Sequence, residues 1–339
     1  MIGFRVDANE VIATGHLMRC IAIASACIRR GEKCIFFLAE EKETFRLEER
    51  GIPYRILNTD WKDMNSEKEK LIRAIREEQP DCMVVDSYQV TGEYLSWLDG
   101  IIPVLYIDDM GKERYSVTAV LHYSQWEGSA DCQKRYAGTK TKVLAGMEYV
   151  PLREEFAKHE RHVRTKSILI TTGGTDPYNI AGRLLQECIC KSEFSGYTFQ
   201  TVIGSMNQYE KELREFEKRF NNVFIHKNIK NIGEYMLCCE SAVSAGGTTL
   251  FELCASGIPT VCFSFADNQQ GFAQEMGIRN IMLYAGDARE NRNIERRLCR
   301  QLIKFVNDGF MRRQYSDRMM SIVDGHGCER IADFLAVLS

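Results

Sequence analysis

Short runs of β-branched and aromatic residues alternate along this chain with longer stretches that carry apolar residues at helical spacing. Such alternation is typical of parallel α/β units, in which a helix follows each strand and packs on the sheet. In the first half, strands are predicted at residues 2–6, 33–38, 54–57, 82–86, 104–108 and 119–122. Predicted helices separate most of these strands, at residues 17–30, 43–50, 67–78 and 92–98.

The second half repeats the alternation after a charged segment, 148–162, that has little strand character. Strands are predicted at residues 167–171, 199–203, 223–226, 242–244, 260–263 and 280–283, and helices are predicted to begin near residues 179, 209, 232, 249, 268 and 289. We therefore predict two Rossmann-like α/β domains, residues 1–150 and 151–339. The last stretch, 310–338, is helical in pattern and could cross back to pack on the first domain.

Composition narrows the possible partners. The 339 residues are 45% hydrophobic and 27% charged, which is typical of a globular protein large enough for two cores. The net charge of -3 gives no general attraction to nucleic acid or membranes, so an anionic ligand has to be bound by local geometry. No apolar stretch approaches the ~20 residues of a membrane span. We expect a cytoplasmic protein without membrane insertion, whose oligomeric state the sequence does not indicate.

Metal-binding patterns are absent from the sequence. The thirteen cysteines are scattered through apolar segments without C-x-x-C spacing, which indicates reduced, buried thiols. His159 and His162 are one helical turn apart in a charged segment, lack further ligands and are predicted to be solvated. We expect neither a metal nor a cofactor.

The loop after the first strand, RVDANEVIATGHLMRC, brings Asp7, Gly15, His16 and Arg19 to a strand-to-helix corner. Ligands of doubly wound sheets bind outside the carboxyl ends of the strands, so two such domains facing each other would define a cleft bordered by loops of this kind. A histidine at a helix N-terminus lies near the positive end of the helix dipole, which disfavours its protonated form and favours a role as base. His16 is thus the leading catalytic candidate, although it could instead cap or pack.

Acidic residues end two further strands of the first half. Asp86 precedes Tyr88 in VVDSYQV, and Asp108 and Asp109 are adjacent in YIDDMG. A carboxylate at a strand end can orient a histidine or bind sugar hydroxyls, but it can equally cap a helix or form a turn. We count Tyr88 and Asp7 as catalytic candidates. The binding candidates are Gly15, Arg19, Asp86, Asp108 and Asp109.

Glycine-bearing turns follow two strands of the second half. The first, TTGGTDP, contains Gly173, Gly174 and Asp176. Glycines let backbone N–H groups approach a phosphate, and an aspartate before Pro177 suits a helix N-cap with proline at the first helical position. A turn that needs glycine only for its backbone angles is the alternative.

The second turn, SAGGTTLFELC, opens a helix with Gly246, Gly247, Thr248 and Thr249, and places Glu252 near the N-terminal end of that helix. Its N–H groups could cradle a phosphate while the carboxylate accepts hydrogen bonds from ribose hydroxyls.

Another helix start carries Asn268 and Gln269, whose amides can reach a pyrophosphate or a sugar. Three helix starts suited to anions in one half of the chain favour nucleotide binding.

These motifs resemble a known family across nearly the whole chain. RVDANEVIATGHLMRC, VVDSY, YIDDM, ITTGGTD, AGGTTLFELCASGIP, DNQ and VDGHGCERI are similar to the UDP-2,4-diacetamido-2,4,6-trideoxy-β-L-altropyranose hydrolase of pseudaminic acid biosynthesis. The second half also resembles the nucleotide-binding half of GT-B glycosyltransferases.

The resemblance implies a metal-independent hydrolysis in which water attacks the anomeric carbon of a UDP-sugar with inversion and UDP departs. It implies His16 as general base, Tyr88 and Asn268 as cleft residues, and Glu252 as the ribose-binding acid. A GT-B glycosyltransferase that uses a UDP-sugar for surface polysaccharide synthesis is the alternative, and a noncatalytic sugar-nucleotide binding protein is the third possibility.

Overall fold

The computed structural model describes residues 1–12, 14–111, 113–123, 126–157, 163–227, 229 and 231–338, with the backbone alone at 126–128. The chain divides into two compact units, of which the first comprises Met1–Glu154 and Gly325–Ser339 and the second comprises Glu155–Asp324. The division therefore falls at Glu154 and not after residue 150, and the terminal segment belongs to the first unit and not to the second. His159 and His162 lie outside the described residues.

The first unit contains a seven-stranded parallel sheet with the order β3-β2-β1-β4-β5-β6-β7. Its strands are β1 (Ile2–Val6), β2 (Cys34–Leu38), β3 (Tyr54–Ile56), β4 (Cys82–Asp86), β5 (Val104–Ile107), β6 (Ala119–His122) and β7 (Lys142–Ala145). Its helices are α1 (Gly15–Arg29), α2 (Phe45–Glu48), α3 (Lys68–Glu78), α4 (Gly92–Asp99), α5 (Trp126–Arg135) and, at the end of the chain, α13 (Gly327–Leu338).

The second unit contains a six-stranded parallel sheet with the order β10-β9-β8-β11-β12-β13. Its strands are β8 (Thr165–Thr171), β9 (Thr198–Ile203), β10 (Val223–Lys227), β11 (Cys239–Ala245), β12 (Thr260–Ser264) and β13 (Leu283–Asp287). Its helices are α6 (Ile180–Cys188), α7 (Glu210–Arg219), α8 (Gly233–Cys238), α9 (Thr249–Ala255), α10 (Asp267–Ile278), α11 (Ile294–Asn307) and α12 (Gly309–Ile322).

Both sheets share one topology, which confirms the prediction of two Rossmann-like halves. In each, strand order reverses beside the first strand, between β1 and β4 and between β8 and β11. The central strands are buried throughout because helices cover both faces of the sheet, as their continuous apolar runs require. Ligands of such sheets bind at the reversal points.

The terminal helix α13 packs on α1 of the first unit. Gly327 lies so close to the chain that a Cβ there would come 2.2 Å from the carbonyl oxygen of Val150. The Cys328 thiol donates a hydrogen bond to the carbonyl of Leu152, at 3.2 Å. This close approach, with a buried apolar face behind it, explains why the predicted helical tail returns to the first unit.

Two elements of the first unit were not predicted, and two of the second begin later than predicted, one of them α11, which begins at Ile294 and not near residue 289. Strand β7 is short and begins with an exposed lysine, and α5 has a polar sequence, so neither carries a strong apolar pattern. The strand predicted at 280–283 lies instead at Leu283–Asp287, because α10 extends to Ile278 and Asn280 adopts a left-handed turn with φ 53°. Of the helices described, none is both long and apolar enough to span a bilayer.

Candidate active site

His16 and Asp86 meet where strands of the first sheet end. Asp86 is the last residue of β4, and His16 is the second residue of α1, which follows β1. The two strands are neighbours at the point where strand order reverses. The Nδ1 atom of His16 lies 2.6 Å from Oδ1 of Asp86. The prediction that His16 stands at a helix N-terminus is confirmed, and the structure adds its carboxylate partner.

Arg19, one turn along α1, links two strand-end carboxylates. Its Nε donates to Oδ2 of Asp86 at 2.5 Å, and its Nη1 donates to Oδ2 of Asp109 at 2.6 Å. Nη1 also donates to the hydroxyl of Tyr123, at 2.5 Å. The guanidinium therefore holds the ends of β4 and β5 together beside His16.

The charges around His16 determine which of its ring nitrogens carries a hydrogen. Burial alone would raise the pKa of Asp86, but Arg19 and His16 outweigh it and hold that pKa below its usual value. An ionised carboxylate only accepts hydrogen bonds, so the hydrogen between the two side chains is on Nδ1. Arg19 Nη2 is 2.8 Å from the same nitrogen, but it cannot donate there and donates to Asp86 instead. In the neutral ring, Nε2 is then the nitrogen that can accept a proton.

Tyr88 packs edge-on against the ring of His16, with ring centroids 4.5 Å apart and an interplanar angle of 83°. Its hydroxyl donates to Oδ2 of Asp109 at 2.9 Å. Burial and the Asp109 carboxylate raise the pKa of Tyr88 to about 12, so the phenol keeps its proton at neutral pH.

A small pocket opens beside the imidazole. Its volume is about 230 Å³ including the space of its open mouth. Its lining residues are Asp7, Ile12, His16, Asp86, Ser87, Tyr88 and Gln89.

Asp7 borders this pocket, but both of its oxygens are already bonded to the protein. Oδ2 accepts from Nη1 of Arg5 at 2.6 Å, and Oδ1 accepts from the backbone N–H of Ala39 at 2.7 Å. Asp7 therefore stabilises the loop after β1, and the catalytic part predicted for it stays a prediction.

A buried ion cluster beneath the pocket was not predicted from the sequence. Arg5 donates to both carboxylate oxygens of Glu67, at 2.7 and 2.6 Å, and the Tyr94 hydroxyl donates to the same carboxylate at 2.5 Å. All three side chains are fully buried. Removing one partner of such a cluster typically costs ~3–5 kcal/mol. The available signal was the arginine in the otherwise apolar central strand IGFRV.

Asp108 does not share the surroundings of Asp109. Its Oδ1 accepts from the backbone N–H of Gly111 at 2.8 Å, and its Oδ2 is buried without a hydrogen-bond partner among the described residues. Burial raises the pKa of Asp108. The two adjacent aspartates, predicted to act alike, thus differ because only Asp109 reaches Arg19.

In the second unit, Gly173 and Gly174 form the turn after β8, as predicted. Gly173 has φ +81°, a conformation that favours glycine. The loop after β9 packs against this turn so closely that a Cβ on Gly204 would lie 2.4 Å from the carbonyl oxygen of Gly174. Glycine at position 204 is therefore needed for the turn to keep its shape.

Asp176 caps a helix that begins close to the predicted residue 179, but not at Pro177. Helix α6 begins at Ile180, and Asp176 accepts from the backbone N–H groups of Ile180 and Ala181, at 2.8 and 3.0 Å. Asn179, with φ 48°, interrupts the chain before the helix, so Pro177 is not its first residue. Both oxygens of the fully buried Asp176 serve these amides, and Asp176 therefore acts as a cap.

The other two anion-competent corners lie beside this turn. They follow β11, which is next to β8 in the sheet, and β12, which is next to β11. A Cβ on Gly246 would lie 3.1 Å from the backbone oxygen of Gln269 and 3.0 Å from Cβ of Ala273, so α10 packs directly on the turn after β11. The predicted corners after β8, β11 and β12 thus lie at the carboxyl ends of three consecutive strands of one sheet.

Helix α9 begins at Thr249, immediately after Gly247 and Thr248, and the partly buried Glu252 lies in its first turn. The N–H groups of Leu250 and Phe251 already donate to the carbonyls of Gly247 and Thr248, at 3.1 and 3.0 Å, so only the N–H groups before Leu250 are candidates to bind a ligand.

Helix α10 begins at Asp267, so Asn268 and Gln269 are in its first turn. Asn268 is exposed, whereas the side-chain oxygen of Gln269 accepts from the backbone N–H of Phe265 at 3.2 Å. Asn268 is thus the more accessible of the two predicted amides.

Over the described part of the chain, no group of three or more His, Cys, Asp or Glu side chains is arranged to hold a metal ion.

The two parallel sheets with flanking helices match the two-domain α/β architecture of GT-B glycosyltransferases. Acinetobacter baumannii MurG has a TM-score of 0.63 at 13% identity, covering 99% of both chains. The spinosyn rhamnosyltransferase SpnG, solved with thymidine diphosphate, has a TM-score of 0.56 at 13% identity, covering 99% of this chain and 100% of its own.

Two curated proteins are distant sequence relatives, and no protein-family model matches the chain. The spore coat polysaccharide biosynthesis protein SpsG of Bacillus subtilis is 22% identical over 83% of this chain and 85% of its own length. The uncharacterized protein MJ1062 of Methanocaldococcus jannaschii is 25% identical over 77% of this chain. The match spans about half of that archaeal protein, 54% of its length.

Proposed function

We propose that this protein cleaves the anomeric carbon–oxygen bond of a nucleotide sugar, with His16 as the base, and transfers the sugar to a hydroxyl acceptor in polysaccharide synthesis. The observation that carries the proposal is the His16–Asp86 pair at the reversal point of the first sheet, 2.6 Å apart.

His16 takes the proton of the attacking hydroxyl on Nε2 as that oxygen bonds to the anomeric carbon. Asp86 fixes the tautomer through Nδ1 and stabilises the imidazolium that forms. Because no second nucleophile is needed, a single in-line displacement inverts the anomeric configuration. Tyr88, whose phenol stays protonated, borders the same pocket.

The second unit would supply the nucleotide site. Charge grows on the diphosphate as the bond breaks, and backbone N–H groups in the Gly173–Gly174 turn and in the turns that lead into α9 and α10 are proposed to stabilise it. Glu252 is proposed to accept hydrogen bonds from the ribose hydroxyls. We propose uridine as the nucleoside of this donor. No metal ion is proposed, because helix amides can neutralise a diphosphate.

Glycosyl transfer is favoured over hydrolysis by the relatives. The architecture is that of glycosyltransferases, and one of the similar structures holds a nucleoside diphosphate. The relative that matches most of this chain and most of its own length is named for polysaccharide biosynthesis.

Hydrolysis of a UDP-linked diacetamido-trideoxy sugar, as in pseudaminic-type acid biosynthesis, is the second candidate. In this reaction water is the attacking group, so no acceptor site is needed and the small pocket beside the ring of His16 would suffice.

The test incubates the protein with UDP-, GDP-, CMP- and TDP-sugars in the presence of EDTA, and NMR monitors release of free sugar and its anomeric configuration. Parallel reactions contain polysaccharide or lipid-linked saccharide acceptors. Transfer predicts that cleavage requires an acceptor, whereas hydrolysis predicts rapid release of inverted sugar without one. Nucleotide binding by calorimetry with no cleavage under any condition would indicate a noncatalytic binding protein and overturn the proposal.

A further inference from the structure

Tyr88 is half in solvent although it contacts the proposed base. Its exposed fraction is 55%, and it meets His16 only through an edge-on ring contact. Its hydroxyl donates to Oδ2 of Asp109 at 2.9 Å. A ring with this much free surface loses little by rotating away, so the hydrogen bond to Asp109 is what fixes its position.

Asp109 is poorly placed to bind a ligand itself. Its Oδ2 already accepts from Nη1 of Arg19, at 2.6 Å, and from Tyr88. Its Oδ1 is buried without a hydrogen-bond partner among the described residues, and the whole side chain is only 17% exposed. Neither oxygen is presented to the pocket, and Asp109 is not among the pocket's lining residues.

The contacts form a closed circuit of side chains around the imidazole. Asp86 bonds to Nδ1 of His16, and Arg19 bonds to both Asp86 and Asp109. Asp109 in turn accepts a hydrogen bond from Tyr88, whose ring packs against His16. The imidazole is thus fixed on one side by the carboxylate of Asp86, which Arg19 holds, and on another by the ring of Tyr88, which Asp109 holds.

We infer that Asp109 is a positioning residue that holds Tyr88 against His16, and that this clasp sets the orientation of the imidazole. The sequence predicted that Asp109 binds ligand, whereas its contacts indicate that it positions His16, the proposed base, through Tyr88. The kinetic consequence rests on the proposed function, but the clasp itself is a property of the folded protein and is tested without substrate.

The direct test uses protein labelled with ¹³C at the tyrosine ring carbon that bears the hydroxyl. Tyr88→Phe identifies the Tyr88 signal by its loss. In Asp109→Asn, we expect this signal to shift and its titration to fall from about 12 towards the ordinary tyrosine pKa near ~10, because the carboxylate charge is gone. Asp109→Ala repeats the test without a replacement amide. An unchanged Tyr88 signal in both variants overturns the inference, whatever substrates the protein uses.

A matched control comes from a tyrosine–carboxylate pair in the same unit, far along the sheet. The Tyr54 hydroxyl on β3 donates to Glu48 at 2.7 Å. Glu48→Gln is expected to move the Tyr54 signal and leave the Tyr88 signal in place. If Glu48→Gln moved the Tyr88 signal as far as Asp109→Asn did, the effect at Tyr88 would be nonspecific and the inference would fall.

Turnover supplies the second readout once a substrate is known. Tyr88→Phe and Asp109→Asn should each lower kcat about tenfold, the size of one lost hydrogen bond, with the nucleotide Kd unchanged. In the double variant, kcat should be no lower than in the worse single variant, because both changes remove the same clasp. Multiplicative losses, or a nucleotide Kd weakened in Asp109→Asn alone, would show that Asp109 acts independently of Tyr88 and would overturn the inference.

Discussion

Nδ1 of His16 lies 2.6 Å from Oδ1 of Asp86, although the two residues are 70 positions apart in the chain. The contact exists because β1 and β4 are neighbours in the sheet, so the loop that precedes α1 lies beside the end of β4. It turns a histidine at a helix start into a side chain with a defined tautomer, and it gives the first prediction.

Asp86→Asn should lower kcat by about 10²- to 10⁴-fold, because the amide no longer fixes Nδ1–H or stabilises the imidazolium. It also leaves Arg19 without its main carboxylate partner. Steady-state kinetics would measure the loss, with thermal unfolding to confirm the fold. Activity within tenfold of the wild type would contradict a catalytic His16–Asp86 pair.

His16→Ala should lower kcat by ~100-fold or more while the Kd for the nucleotide changes little, because the base is lost and the proposed phosphate cradle is untouched. His226→Ala serves as the control, since that histidine bonds to Gln200 in the second unit and has no proposed part in the reaction. Full turnover by the His16 variant would remove the residue from the mechanism.

Glu252→Ala should weaken nucleotide binding because the ribose hydroxyls lose a charged acceptor, a type of hydrogen bond worth ~1.5–3 kcal/mol, or about 10- to 100-fold in Kd. Calorimetry with UDP, compared with 2′-deoxy-UDP, isolates the ribose contribution. Glu215→Ala, at an exposed residue of α7, provides a charge-matched control. Equal affinity for UDP in the variant and the wild type would exclude the ribose role.

Gly204→Ala should destabilise the second unit by ~1–3 kcal/mol and weaken nucleotide binding, because its methyl group would overlap the backbone of Gly174. The matched change, Gly271→Ala in α10, meets nothing within 4 Å and should stabilise the protein slightly, by ~0.4–1 kcal/mol. Denaturant unfolding measures both. Equal stability of the two variants would show that the approach to Gly174 carries no cost.

Asp108→Asn should make the protein more stable than the wild type at pH 7. Burial raises the folded-state pKa of Asp108, so the native state binds this proton more tightly than the unfolded chain does. The wild type therefore loses stability as pH rises from the unfolded value near ~3.9 through the raised folded value. Asparagine resembles the protonated acid, so the difference in unfolding free energy should vanish near pH ~3. A constant difference across this range would contradict the direction of the shift.

Much of the fold follows from local pattern. Apolar runs such as those of β1 and β4 are strands because only the interior of a covered parallel sheet buries every residue. The strand-to-helix alternation then predicts the doubly wound topology, and with it the sheet edge where His16 stands. The corners after β8, β11 and β12 follow from the same rule.

What the sequence could not predict depends on contacts between distant side chains. No local pattern pairs Arg5 with Glu67, or separates the role of Asp108 from that of Asp109. Pro177 is not the first residue of α6, as its sequence suggested, because the left-handed Asn179 separates it from the helix start at Ile180. Boundaries and partners were therefore the weaker predictions, and element types the stronger ones.

The packing of α13 on α1 makes the first unit discontinuous in sequence, whereas the second unit is one uninterrupted segment. During synthesis, the second unit can complete its core before α13 is available to pack on the apolar face of α1. His16, the proposed base, is on that same helix. Ribosomes would thus finish the proposed nucleotide-binding half first, and His16 would gain its final support only when the last helix emerges.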